Sequence, residues 1–586
     1  MVWFDDLQEA LVLGEDDWRS LSSGILMALQ QRDFNLQLPQ RLRSDVAPRI
    51  VFLSVSDRAG IRVAARATPA IIARGTGLGL VQALNTALEK LIREFTSQYQ
   101  PQWLKVDIVQ EAISSVRLNS DRPLGFERSL EGLAFEKEAA IAFLPEELVT
   151  HSLVLRDQTL KSSNVLKYLE KYPGKQQAFE KITQAKSYKL YRFNCSSFFT
   201  DGTETVNLYR GHRLFNDFSK EMVLDAAIAA GDYLKTSINP DGRFIYCYQA
   251  KTDKIIPKYN ILRHAGTIYA LLELYEVTQD QDLLMAIQRA IAYLLKQIQT
   301  PTAIAVTGEG ACIVEAGQVK LGGNALAAIA LAKYSEITED SQYLSTIIEL
   351  CRWIESVQGE TGEFLVHKQG QNQDPEAFRS NYYPGEAILA LVRLYHLTED
   401  AHWLNVAETA AKHRIGKYNE SPKAVPQDHW LLYALNELFR DRPVPVYLTY
   451  AGRIADAMLQ SQQISPMYPD WLGCFQEPPR STPTATRTEG LCAAYRLAQV
   501  SGNSSQLPQI LEGIVLGVAF QLQTQIRPEI AMYYPNGMQA LGGFRKSLTH
   551  SEVRIDYVQH NISSLLGLYA IADLYRGTDV LAGMDK

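Results

Sequence analysis

"SNYYPGEAILALVRLYHLTED", residues 380–400, opens on two tyrosines and a Pro-Gly, then becomes an apolar helical stretch closed by Thr398-Glu399-Asp400. Two other stretches nearly superimpose on it, "AGTIYALLELYEVTQDQDLL" (265–284) and "NALAAIALAKYSEITEDSQYL" (324–344). Their Thr-x-Asp turns start at Thr278, Thr338 and Thr398, a period of 60 residues twice over. Three less regular copies follow: "HWLLYALNELFRDRPVPVYL" (429–448), "EGLCAAYRLAQVSGNSSQL" (489–507) and "NISSLLGLYAIADLYRG" (561–577). Self-similarity at a fixed spacing is the mark of a repeat architecture.

Each copy is apolar on nearly every side, as a helix buried among helices is. Each is preceded by a more amphipathic helix, such as "LLMAIQRAIAYLLKQI" or "YLSTIIELCRWIESV". Six hairpins of one outer and one inner helix predict a closed (α/α)6 toroid over residues 221–580. An open solenoid has shorter, more uniform repeats. Inner-to-outer links are tight ("VTQD", "LTED"), whereas outer-to-inner links are long and rich in Gly, Pro and aromatics. Loops of that length in a compact domain are usually functional. All of them lead into inner-helix starts, so one mouth of the ring is elaborated and carries the site.

Residues 1–205 read differently, with strand-like runs "RIVFLSVSD" (49–57), "WLKVDIV" (103–109), "AAIAFLP" (139–145) and "YKLYRFNCSSFF" (188–199) around one strong helix, "GLVQALNTALEKLIREF" (79–95). That is an α+β domain, and residues 206–220 are the linker. The predicted fold is therefore multidomain: an N-terminal α+β domain followed by an all-α (α/α)6 toroid.

The 586 residues carry a formal charge of −7 with no basic run, which argues against a nucleic-acid partner. No stretch approaches a membrane span. The start, "MVWFDDLQEALVLGEDDW", has acids where a signal peptide has Lys or Arg, so the expected location is cytoplasmic. Six cysteines (195, 247, 312, 351, 474, 492) stand far apart, without zinc spacing. Neither a metal nor another cofactor is implied, and the oligomeric state stays open.

Aligning the inner-helix starts places Arg263 and His264 in the first copy, Asn324 in the second, and Tyr382, Tyr383 and Glu386 in the third. The fourth gives Asp428, His429 and Trp430, the fifth Arg487 and Glu489, and the sixth Asp556, Tyr557, Gln559 and His560. Acids in a first helical turn stabilise the helix dipole by about 0.3–1 kcal/mol, which accounts for Glu386, Asp428 and Glu489 taken singly. The same dipole disfavours Arg263, Arg487 and protonated histidines at that end. Mixed charge gathered there points to a polar site. Tyr382, Tyr383, Trp430, Trp471 and Tyr557 add aromatic faces of the kind that suit sugar rings, although loop packing explains each one equally well.

The N-terminal order of strand, Gly turn, helix, strand, "FLP" and "LYRF" resembles the AMMECR family over about residues 20–200. The Leu-Arg-Gly-Cys-Ile-Gly hallmark of that family is absent, and the chain reads "IRVAARAT" after Gly60. In the toroid, "ATRTEGLCAAYRLA", "PQDHWLLYAL" and "YVQHNISSLLGLY" are similar to helix starts of the N-acylglucosamine 2-epimerase and six-hairpin glycosidase superfamily. That resemblance implies an acid/base pair on His429 and His560 and a substrate-binding Arg263. His429 is followed by Trp430 and Leu431 where the family has Glu.

Two enzyme readings and one binding reading stay open at this point. A sugar epimerase or isomerase needs two groups with pKa values near neutrality on opposite faces of one carbon, which His supplies. A glycoside hydrolase needs two carboxylates, from Glu386, Asp428, Glu489 and Asp556. A non-catalytic adaptor for a glycan or peptide needs neither. Zinc-dependent toroids need a Cys/His/Asp set, for which Cys474 near His560 offers two ligands at most. The expected partner is a small-molecule or oligosaccharide substrate. His429, His560, Glu489 and Glu386 are the candidate catalytic residues. Arg263, His264, Asn324, Tyr382, Tyr383, Asp428, Trp430, Arg487, Asp556 and Tyr557 are the candidate binding residues.

Overall fold

The computed structural model describes residues 2–33, 35–57, 71–96, 99–118, 125, 127, 129–155, 157–419 and 425–574. Gly60 and "IRVAARAT" lie outside them. The chain divides into two compact units: Met1–Leu214 with Ala250–Lys254 and Ile526–Leu541, and Phe215–Gln249 with Ile255–Gln525 and Gly542–Lys586.

The first unit is built on an antiparallel sheet of seven strands among the described residues: β1 (Pro48–Ser56), β2 (Ile71–Leu78), β3 (Trp103–Leu118), β4 (Gly132–Phe135), β5 (Ala142–Phe143), β6 (Ser187–Thr200) and β7 (Thr205–Leu208). The order is β2-β1-β3-β6-β4-β5, with β7 also paired to β6. Side chains alternate between faces along a strand, and both faces of β1 are covered. Val51, Leu53 and Val55 join one apolar cluster, and Ile50 and Phe52 another. That is why this strand reads as a continuous apolar run. Helices Glu15–Gln31 and Leu80–Glu94 cover the first face, the latter with Leu80, Ala83, Leu84, Ala87, Leu88 and Leu91.

Three sequence expectations change here. The "AAIAFLP" strand shrinks to Ala142–Phe143, because Pro145 opens a short helix. Strand β2 was not foreseen, since Gly75 and Gly77 interrupt it. A Cβ on Gly75 would lie 1.8 Å from the Ala83 carbonyl oxygen, so glycine lets helix Leu80–Glu94 sit against the strand. Finally, Ile526–Leu541 belongs to the first unit rather than to the ring. Glu529 accepts from the Arg213 guanidinium (Nε–Oε1 2.8 Å), and the Tyr533 hydroxyl donates to Ser54 Oγ at 3.1 Å.

The second unit is a ring of six helical hairpins among the described residues. The inner helices are Ile261–Thr278, Leu321–Thr338, Tyr383–Thr398, His429–Asp441, Ser481–Val500 and Ile555–Leu574. Each packs on the next, and the sixth packs on the first, so the ring is closed. The outer helices are Lys220–Thr236, Gln281–Leu295, Leu344–Ser356, Ala401–Asn419, Pro445–Gln460 and Leu507–Thr524. The second inner helix is buried continuously from Leu321 to Ser335, whereas outer helix Gln281–Leu295 buries one stripe (Leu283, Ala286, Ile287, Ala290, Ile291, Leu294).

The Thr-x-Asp signature has a local cause. Thr278, Thr338 and Thr398 each donate a hydroxyl to the carbonyl four residues back. The next residue (Gln279, Glu339, Glu399) is left-handed, at φ 54–57°, and stops the helix. Asp280, Asp340 and Asp400 then accept from the N–H two residues on, and Asp280 is the N-cap of outer helix Gln281–Leu295. Among the described residues no helix is long and apolar enough to cross a membrane.

Candidate active site

A polar cavity of about 560 Å³ opens at the inner-helix starts. Arg263, Tyr382, Tyr383, Glu386, His429, Trp430, Arg487, Asp556, Tyr557 and His560 line it. Four other sequence candidates do not reach its surface. Glu489 lies just beneath, 1% exposed, and its Oε2 is 2.9 Å from His560 Nδ1 while the Tyr433 hydroxyl donates to Oε1. Asp428 caps the fourth inner helix, accepting from Leu431 N at 3.2 Å. His264 and Asn324 need correcting as binding residues. His264 is buried between the Tyr259 hydroxyl and the Ala290 carbonyl, and Asn324 holds the Ile313 N–H and the Lys320 carbonyl. Both hold loops onto the ring.

Glu386 is not a capping-box acid. The N-cap is Tyr382, with Pro384 in the first turn, and the Glu386 side chain is buried with Oε2 lacking a hydrogen-bond partner. Burial, then the neighbouring Asp428, pushes its carboxyl well above the usual range. Burial likewise raises Asp428 to about 7, against the pull of Arg414.

The two imidazoles meet at the cavity floor. The ring centroids of His429 and His560 are 5.2 Å apart at 82°, with Trp430 against both. His429 is buried with neither ring nitrogen hydrogen-bonded. Burial, then His560 and Arg487, holds it well below the usual histidine range, so it is neutral at pH 7. Burial raises Glu489 in spite of its His560 contact. His429, Glu489 and His560 also form a group whose potential ligand atoms lie within 4.8 Å of one another, a set chemically able to hold a divalent ion.

One helical turn before His560, Asp556 stands between Arg263 (Nε–Oδ2 3.3 Å) and Arg554 (Nη2–Oδ2 2.9 Å), and Arg263 also donates to the Tyr246 hydroxyl at 2.7 Å. Strands Cys247–Gln249, His550–Arg554 and Arg545–Ser547 pair antiparallel and carry Arg554 and Lys546 to the cavity. The helix-start alignment missed those two, together with Asn260, Gln476, Arg480, Thr482 and Thr486. They sit on a loop, two strands, helix caps and the first turns of the fifth inner helix, where no repeat marks them. Trp471 does not line the cavity and stacks edge-on with Tyr468, while Cys474 is buried and donates to the Gln476 carbonyl.

No family model matches the chain, and no curated protein matches it. Among solved structures, it is similar to a D-mannose isomerase (16% identity, covering 60% of this chain and 97% of that one, TM-score 0.41). It is also similar to cellobiose 2-epimerase from Bacillus thermoamylovorans (10%, 60% and 100%, 0.45). A family 76 glycoside hydrolase from a bovine Bacteroides thetaiotaomicron strain is a third (12%, 81% and 97%, 0.45). At those TM-scores the likenesses carry no chemistry to this chain. Its own ring closes through six helical hairpins.

Proposed function

We propose that the ring is a carbohydrate-active enzyme, a sugar epimerase or isomerase that moves a proton at the carbon beside a carbonyl. The observation that carries this reading is the perpendicular His429–His560 pair at the floor of a polar cavity. One imidazole takes the proton from carbon while the other delivers one to the opposite face or to the neighbouring carbon. His429 is free to accept a proton, since neither Nδ1 nor Nε2 has a competing hydrogen bond, and its depressed pKa makes it a weaker base than an ordinary imidazole. Glu489 orients His560 by holding Nδ1, which leaves Nε2 for the substrate. Negative charge developing on the enolate oxygen is met by Arg263 on the cavity wall.

Glycoside hydrolysis is the second reading, and the buried Glu386–Asp428 neighbours favour it because both carboxyls are held toward the protonated form. It lacks a second free carboxylate on the cavity wall, since Asp428 caps a helix and Asp556 is paired with two arginines. The test is solvent deuterium incorporation into free aldoses, ketoses and N-acyl sugars. Exchange lost in His429→Asn and His560→Asn supports the imidazole pair. Exchange that survives both but vanishes in Glu386→Gln moves the chemistry to the carboxylates.

A further inference from the structure

The charge on the cavity wall is lopsided. Five cationic side chains line it, Arg263, Arg480, Arg487, Lys546 and Arg554, against two carboxylates, Glu386 and Asp556. Asp556 is taken up by Arg263 and Arg554. Arg487 donates to Gln427 and to the Pro483 carbonyl, both neutral. Among the described residues, Arg480, Arg487 and Lys546 have no carboxylate partner.

These three gather at one place. Arg480 is the N-cap residue of the fifth inner helix, Arg487 lies two turns on along the same helix, and Lys546 sits on strand Arg545–Ser547, which packs against that helix. Arg480 does nothing for the helix it starts. An N-cap side chain normally accepts a hydrogen bond from the first turn. Arginine cannot accept one, no side-chain cap is made, and its charge faces the positive end of the dipole. A cavity wall with three cations that no carboxylate compensates is matched by an anion.

We infer that this wall is a subsite for an anionic group on the substrate, a phosphate monoester before a carboxylate, held by Arg480, Arg487 and Lys546. A phosphate monoester brings about −1.5 to −2 of charge and three acceptor oxygens, against one charge for a uronate. The inference rests on the sugar reading for what bears the anion, but not for the anion itself.

Titration calorimetry of the full chain with mannose, mannuronate, mannose 6-phosphate and inorganic phosphate tests it. The phosphorylated sugar is expected to bind about tenfold or more tighter than mannose, with uronate between them, and the gap should narrow as salt rises. The Arg480→Gln, Lys546→Gln double variant should bring the gap below about threefold while mannose affinity stays put. The salt dependence of the unsubstituted protein gives the same reading without any variant. Equal affinities for mannose and its phosphate, or a phosphate preference that survives the double substitution, overturn the inference. Mannose that binds and exchanges deuterium with no gain from phosphate removes the subsite and leaves the sugar reading intact. Inorganic phosphate binding while no sugar binds does the reverse.

Discussion

His429 and His560 come from hairpins separated by a third, yet their imidazoles lie 5.2 Å apart and nearly perpendicular. Two rings in that relation can reach one substrate carbon from different directions. Replacing either by Asn should lower the deuterium exchange rate on the order of 10²–10⁴-fold, with KM changing far less. A variant that loses affinity while keeping its turnover number would place the imidazoles in binding instead.

Glu489 acts through His560 rather than on substrate, so its loss should look different. Glu489→Gln keeps the shape but not the charge that holds Nδ1. The expected fall is about 10²-fold or more in kcat at near-constant KM, with Glu489→Asp recovering part of it. Equal losses in the Gln and Asp variants, together with a lower melting temperature, would mark a purely structural role.

Asp428 gives a prediction with a sign. Its carboxyl is raised to about 7 in the folded ring, above the ordinary unfolded value of about 3.9. The folded state therefore holds its proton more firmly, and this residue's contribution to stability falls as pH rises from about 4 to about 7. Asparagine caps a helix as well as aspartate does. Asp428→Asn should therefore gain on the parent across that window and keep a constant lead above it. Urea unfolding at pH 5 and pH 8 reads the difference, and an equal gap at both would mean that Arg414 keeps Asp428 ionised.

Two adjacent glycines of the second inner helix should respond in opposite ways to alanine. A Cβ on Gly322 would fall 2.2 Å from Glu386 Oε2 and 2.5 Å from the Tyr383 ring, whereas on Gly323 the nearest atom is 3.9 Å away. Gly322→Ala should destabilise by about 1–3 kcal/mol and displace Glu386. Gly323→Ala should be neutral or gain up to about 1 kcal/mol from helix propensity. Denaturant midpoints of the two variants check this.

An imidazole pair needs no ion, although His429, Glu489 and His560 could hold one. Exchange activity is expected to survive dialysis against excess EDTA. Loss on chelation, restored by a single divalent metal, would turn the same three residues into ligands.

The ring was legible because burial repeats. Six inner helices with much the same apolar surface produce much the same text, and the Thr-x-Asp stop recurs at three of the turns from an inner helix to an outer one. The site was legible only where it shares that repeat. Glu386, His429 and His560 sit at aligned helix starts, whereas Arg480, Lys546 and Arg554 reach the same cavity from a cap and from strands specified by pairing between distant segments. His264 and Asn324 obeyed the alignment but are used for packing, because a polar residue at a helix start serves a loop as readily as a ligand. In the first unit β1, β3 and β6 showed themselves as apolar runs, while β2 was hidden by glycines whose purpose is contact with a helix.

The ring closes on a seam between its first and sixth inner helices. Ser563 donates to Glu273 across 290 residues of chain, and Arg263 meets Asp556 across the same seam. Contacts so remote in sequence form late and slowly. During synthesis the cavity has no complete wall until the last helix leaves the ribosome, and until then the first and fifth inner helices each present an uncovered apolar flank. A chain cut short before residue 555 would lack His560 and the wall that bears it, leaving an adhesive open arc, so a complete cavity and escape from aggregation are reached in the same closing step.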